Sequence, residues 1–212
     1  EIQKNAISSP AEGLLLYQTD QVKGLYLYNN AIWKWIFSSV NSSTHVDSNN
    51  TIAIGGVVSA TNSVAIGVNS LVSNTTGTEN TAYGYESLSA NTTGEKNTAN
   101  GYQALTSNIN GNRNTATGYK ALHTNISGDF NTANGRRALS DNTVGSYNTA
   151  FGNAALYRNI GGVNNTAVGH EALILNLSGG ANTANGGLAL RSNLTGNFNV
   201  AIGYMALMTN TT

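Results

Sequence analysis

The sequence predicts an all-β protein, a parallel β-solenoid (β-roll) of 17-residue coils preceded by a small N-terminal antiparallel β module. A strict repeat, its length and its composition carry that prediction. The segment Asn80-Thr81-Ala82-Tyr83-Gly84 returns at Asn97, Asn114, Asn131, Asn148, Asn165, Asn182 and Asn199, each time after 17 residues. With Ser63 as position 1, position 3 is Ala from Ala65 to Ala201 and position 5 is Gly from Gly67 to Gly203. Position 9 is Leu from Leu71 to Leu207, position 12 is Asn from Asn74 to Asn210, and position 15 is Gly from Gly77 to Gly196. A period without drift means that every unit offers the same groups to the units above and below it, as stacked solenoids do.

Length selects the kind of solenoid. Repeats built on helices need about 20 to 47 residues, and two Gly and two Asn in each unit would break a helix. Two strands of about five residues and two turns fit instead, with Val64-Ala65-Ile66 and Val200-Ala201-Ile202 reading as strands. Coils about 4.8 Å apart make nine units a rod of roughly 43 Å.

Within a coil, positions 1, 3 and 5 share one strand face and positions 2 and 4 the other. Position 3 never exceeds Ala, whereas position 4 runs from Asn100 to Tyr83 and Phe151. The constrained face is therefore expected inside, where an added methyl group would clash. Ala82, Ala99 and Ala116, with Leu88, Leu105, Leu122 and Leu139, are the predicted repeat core. Gly84, Gly101 and Gly118 at position 5, and Gly94 and Gly111 at position 15, are expected at turns with φ above zero. Asn at position 12 either adopts that conformation too or stacks into an amide ladder.

Residues 1–40 differ in texture. Leu14 to Tyr17, Leu25 to Tyr28 and Ile32 to Ile36 read as a three-stranded meander, separated by turn-forming residues. Alternation puts Trp33 and Trp35 on one face, and a meander of this size cannot bury both rings alone. They are expected against the same module of another chain, which makes residues 1–40 a trimerisation or attachment module. Residues 41–50, rich in Ser, Asn and Thr, read as a linker, and residues 51–212 as the repeat domain. Thr51 to Gly55 forms a shorter entry coil, 12 residues before the motif ending at Gly67.

Composition excludes several classes. Ten acidic and ten basic side chains and 9% charged residues give no basic stripe for nucleic acid. No apolar run approaches the roughly 18 residues of a membrane span. Glu1 opens on polar sequence without a signal peptide, and the last unit stops at position 14 without a cap, so a longer chain is expected. The absence of Cys fits life outside the cytoplasm without disulfides.

Ser63-Val64-Ala65-Ile66-Gly67, Thr51-Ile52-Ala53-Ile54-Gly55 and Asn199-Val200-Ala201-Ile202-Gly203 resemble the S-V-A-I-G motif of the YadA-like head of trimeric autotransporter adhesins. That resemblance covers residues 51 to 210 and implies a homotrimeric β-roll used in cell adhesion. The family's coil is usually shorter than this one. The middle copies, N-T-A-x-G followed by Y-x-A-L, are more similar to repeats in fibre proteins of bacteria and their phages. The segment from Pro10 to Asp20, with Tyr26 to Trp33 after it, also looks like the module that opens such fibres. The resemblance implies an extracellular fibre on a bacterial cell surface, a phage or another injection device.

No constellation points to chemistry. His45, His123 and His170 stand in different units without Cys or carboxylates at ligand spacing, and Asp129 and Asp141 are isolated, so neither zinc nor calcium is expected. No nucleophile triad, carboxylate pair or phosphate loop occurs, and the protein reads as no enzyme, with no cofactor. Sequons at Asn74, Asn91 and Asn193 follow from the repeat and are read as structural. Tyr85, Tyr102, Tyr119 and Tyr204 recur at position 6 as a candidate strip, packing between chains or stacking on the sugar rings of a glycan receptor.

Three functions follow. The first is an attachment fibre that forms or projects a surface for a receptor not identifiable from sequence. The second is a structural spacer in a tail fibre whose terminal domains bind. The third, minor reading is an ice-binding solenoid, based on Thr at position 2 from Thr81 to Thr183 and interrupted by Tyr83 and Phe151.

Overall fold

A computed structural model describes residues 62–212 in full and, ahead of them, the backbone of five strands. Strands β1 (Leu15–Gln18), β2 (Gly24–Asn29) and β3 (Ile32–Trp35) form an antiparallel meander in the order β1-β2-β3. Its register sets Tyr28 opposite Trp33 and Tyr26 opposite Trp35. The expected burial of the two Trp rings and the environment of His45 lie outside the described residues.

The second sheet has 11 strands in sequence order. It starts with β4 (Thr44–Val46), within the Ser/Asn/Thr-rich stretch, paired antiparallel to β5 (Ile52–Ile54). From β5 onward every pairing is parallel. The short entry step brings Ile52 opposite Val64 of β6 (Val64–Ile66). From β6 through β7 (Thr81–Tyr83) to β14 (Val200–Ile202), each strand pairs with the residues 17 further along, as Ala82 with Ala99 and Ala133 with Ala150. The repeats thus form a parallel β-solenoid, and among the described residues no element is a helix.

Each coil carries one strand of three residues, at positions 2 to 4, and not the two five-residue strands that length and composition suggest. The backbone explains the difference. Positions 7, 9 and 17 lie in the left-handed region although none is Gly, for example Glu86 at φ 54°, Leu88 at φ 50° and Lys96 at φ 58°. Such a conformation costs an L residue roughly 1–2 kcal/mol, and it interrupts any extended strand. Bonds between coils hold it in place. Glu86 donates its N–H to the Val68 carbonyl at 2.9 Å, Leu88 to Ala104 at 3.1 Å and Lys96 to Thr78 at 3.0 Å. The ladder therefore continues around the coil where the strand does not.

The core is a stack of identical small layers. Ala82, Ala99 and Ala116 are fully buried, as are Leu88, Leu105, Leu122 and Leu139. A further buried column, not singled out in the sequence reading, lies at position 8, from Ala104 to Ala189. Leu207 in the ninth coil is 51% exposed.

The two glycine columns work differently. Gly84, Gly101 and Gly118 have φ of 130°, 142° and 126°, as a turn glycine should. Gly94 and Gly111 depart from the same expectation, for they are not in the positive-φ region. Their constraint is steric: a Cβ on Gly111 would lie 2.5 Å from Asn108 Oδ1 and 2.6 Å from the Gly128 carbonyl oxygen of the next coil. Only a bare Cα lets the coils stack at that corner.

Position 12 resolves as a ladder. Asn91 Nδ2 donates to Asn74 Oδ1 at 2.7 Å, and Asn125 Nδ2 to Asn108 Oδ1 at 2.8 Å. A second buried ladder stands at position 1, where Asn97 N donates to Asn80 Oδ1 at 3.0 Å and Asn97 Nδ2 to the Gly111 carbonyl at 2.8 Å. Asn74, Asn91 and Asn193 are at most 4% exposed, so their sequons offer no room for a sugar.

Candidate interaction surfaces

The outward positions divide by charge. Between residues 62 and 212 every Asp, Glu, Lys and Arg falls at position 6, 7, 10, 11, 16 or 17. Positions 1 to 5 and 12 to 15 carry none. The solenoid thus has charged corners separated by uncharged faces.

At position 6 the structure brings together Tyr85, Tyr102 and Tyr119. The first two rings stack with centroids 5.3 Å apart and planes 11° apart, the second two at 5.4 Å and 8°. The Arg136 guanidinium lies 5.7 Å from the Tyr119 centroid. Stacking along the axis occupies the ring faces and leaves mainly edges outward. A sugar packs on a face, and here neighbouring rings take up the faces. Tyr204 stands apart, 72% exposed and lying over the bare Gly187, whose Cβ would be 3.3 Å from Tyr204 Cδ2.

Next to this ladder, Gln103 Nε2 donates to Glu86 Oε2 at 2.6 Å. That bond, with a second from the Tyr85 hydroxyl, holds the Glu86 carboxyl below the usual range, and its proximity raises the Tyr85 phenol above its own. One coil-edge carboxylate behaves oppositely. Burial pushes Asp141 upward, against the pull of Arg158, His123 and Arg137.

A second outward feature was not anticipated from the sequence. At positions 16 and 17, Glu95, Lys96, Asn112, Arg113, Asp129 and Phe130 line a groove of about 280 Å³. The Arg113 guanidinium lies 5.1 Å from the Phe130 centroid, and Phe130 stacks on Tyr147 at 4.9 Å. Beneath the rings, side chains substitute for backbone acceptors. Glu95 N donates to Asn112 Oδ1 at 2.9 Å, Asn112 N to Asp129 Oδ1 at 2.7 Å and Asp129 N to Ser146 Oγ at 3.0 Å. The aromatic recurrence Phe130, Tyr147 and Phe198 at position 17 was the signal in the sequence.

Among the described residues no group of three or more His, Cys, Asp or Glu could hold a metal ion, and no helix is long and apolar enough to cross a membrane. His123 Nδ1 lies 3.3 Å from the Gln103 carbonyl oxygen, and His170 Nε2 3.7 Å from Glu171. His123 is half-buried and His170 exposed.

No curated protein and no solved structure matches the chain. Residues 1–55 match one family, described as a phage tail-like trimerisation region. The match covers the antiparallel meander, β4 and β5, and supports a homotrimer whose repeats are tail-fibre-like.

Proposed function

We propose that this chain is part of a trimeric, tail-fibre-like structural protein, in which residues 1–40 trimerise or attach, 41–50 link and 51–212 form the shaft. The observation that carries the reading is continuity. The hydrogen-bonded ladder runs from β4 and β5, inside the matched trimerisation region, through every coil to β14. A rod held at one end by three copies transmits position and resists bending; family and fold both favour that role over catalysis. Its place is outside the cell, on a phage, an injection device or a bacterial surface.

An attachment role has one specific support, the groove from Glu95 to Phe130. It presents carboxylates, a guanidinium, an amide and an aromatic ring on an exposed corner, the groups that recognise a glycan. Within this proposal the Tyr85, Tyr102 and Tyr119 strip is cohesive.

Light scattering on the purified chain tests the fibre reading. The expected mass is three times the 22.1 kDa chain, in particles that electron microscopy shows as rods. A 22.1 kDa particle would overturn it. A glycan array separates the two roles: binding lost in Arg113→Ala supports attachment, and no binding by intact rods leaves a shaft.

A further inference from the structure

Position 13 forms a ridge along the rod. Its residues are Thr75, Thr92, Ile109, Ile126, Thr143, Ile160, Leu177, Leu194 and Thr211, with no charge and no amide. Ile109, Ile126, Ile160 and Leu194 are exposed at 44%, 42%, 49% and 39%. Three of its four Thr members are made apolar by the fold. Thr75 Oγ1 donates to the Thr92 carbonyl at 2.8 Å, Thr92 Oγ1 to Ile109 at 3.0 Å and Thr143 Oγ1 to Ile160 at 3.1 Å. Each hydroxyl is turned to the main chain of the next coil, leaving the methyl group as the outward surface. At about 4.8 Å per coil, the ridge from Thr75 to Leu194 is roughly 34 Å of unbroken apolar edge.

We propose that this ridge is the seam along which three copies of this chain meet in register, a refinement that rests on the trimeric-fibre reading. The occupant is argued from three observations. Residues 1–55 match a trimerisation region, and β5 within it pairs directly with β6, Ile52 opposite Val64 and Ile54 opposite Ile66. Chains joined there begin their coils at one level. In a parallel trimer, a residue near the three-fold axis faces its own copies, so any charge would face the same charge twice. Positions 12 to 15 avoid charge in every coil, while charges crowd positions 6, 7, 10, 11, 16 and 17. Finally, a seam on the axis takes its side chains out of water at every level, and a ridge free of charges and amides suits that in every coil. The other uncharged face fails this condition, since position 4 mixes Tyr83, Phe151 and Val168 with Asn100, Asn134 and Asn185.

The absence of Cys allows a direct test. Single variants Ile126→Cys and Ile160→Cys at the ridge are compared with Asn134→Cys on the strand face and Arg136→Cys at a charged corner. All are made in the 1–212 chain, checked for unchanged mass by light scattering, then treated with a short bismaleimide. In a trimer, the ridge variants should yield covalent dimers at least tenfold faster than the two controls. A trimer in which the ridge variants react no faster overturns the seam and leaves the fibre reading standing. A monomeric mass for the unmodified chain overturns both.

Discussion

Asn108 stands between two copies of itself: its Nδ2 donates to Asn91 Oδ1 at 2.8 Å, and its Oδ1 accepts from Asn125 Nδ2 at the same distance. The same Nδ2 reaches the Gly111 carbonyl at 2.9 Å. A fully buried amide therefore joins three coils. Asn108→Ala leaves polar partners unsatisfied above and below, each costing about 1–3 kcal/mol. Urea unfolding should show a clear loss of stability, whereas Asn110→Ala, at an exposed position two residues on, should stay within about 0.5 kcal/mol of the parent. Equal effects would show that the ladder contributes nothing.

Glycine replacements should separate by stacking geometry. On Gly118, at φ 126°, a Cβ would lie 2.7 Å from the Gly135 carbonyl oxygen, and Gly111 meets Asn108 and Gly128 as closely. Gly161 has nothing nearer than Val144 Cγ2 at 3.7 Å. Thermal melts should show Gly111→Ala and Gly118→Ala strongly destabilised and Gly161→Ala close to the parent. Tolerance at Gly111 would mean that the coils can separate at that corner.

Burial should grade the leucine column. Leu122 is fully buried and Leu207 is 51% exposed. Leu122→Ala is expected to cost about 2–5 kcal/mol, and Leu122→Asp more, since a carboxylate would enter the layer unpaired. Leu207→Ala should cost well under half as much by denaturant titration.

Asp141 predicts a pH effect with a definite sign. Its carboxyl is pushed above the ordinary range by burial, so the folded state favours the protonated form. The associated stability is fully present below the unfolded pKa and is lost as pH rises through the higher folded value. Asp141→Asn removes that loss. The variant should melt higher than the parent at pH 7, and the difference should vanish near pH 3. A lower melting temperature at pH 7 would mean that the attraction to Arg158 outweighs burial.

The sequence alone determined the repeat and its inner face. A period of 17 without drift requires equivalent layers, and a column that never exceeds Ala, with an invariant Leu beside it, leaves one way to pack them. Local chemistry also identified Gly84 and its copies as turns. Tertiary structure decided what depends on the next coil. Glu86, Leu88 and Lys96 adopt left-handed geometry against their own preferences because hydrogen bonds to neighbouring coils hold them there. Gly111 must be glycine because of a carbonyl 17 residues away, not because of its own φ. The groove at Arg113 and Phe130 exists only where three coils are stacked. Composition and spacing report what one unit needs, and the remainder is set by contacts between units, which no single copy of the repeat contains.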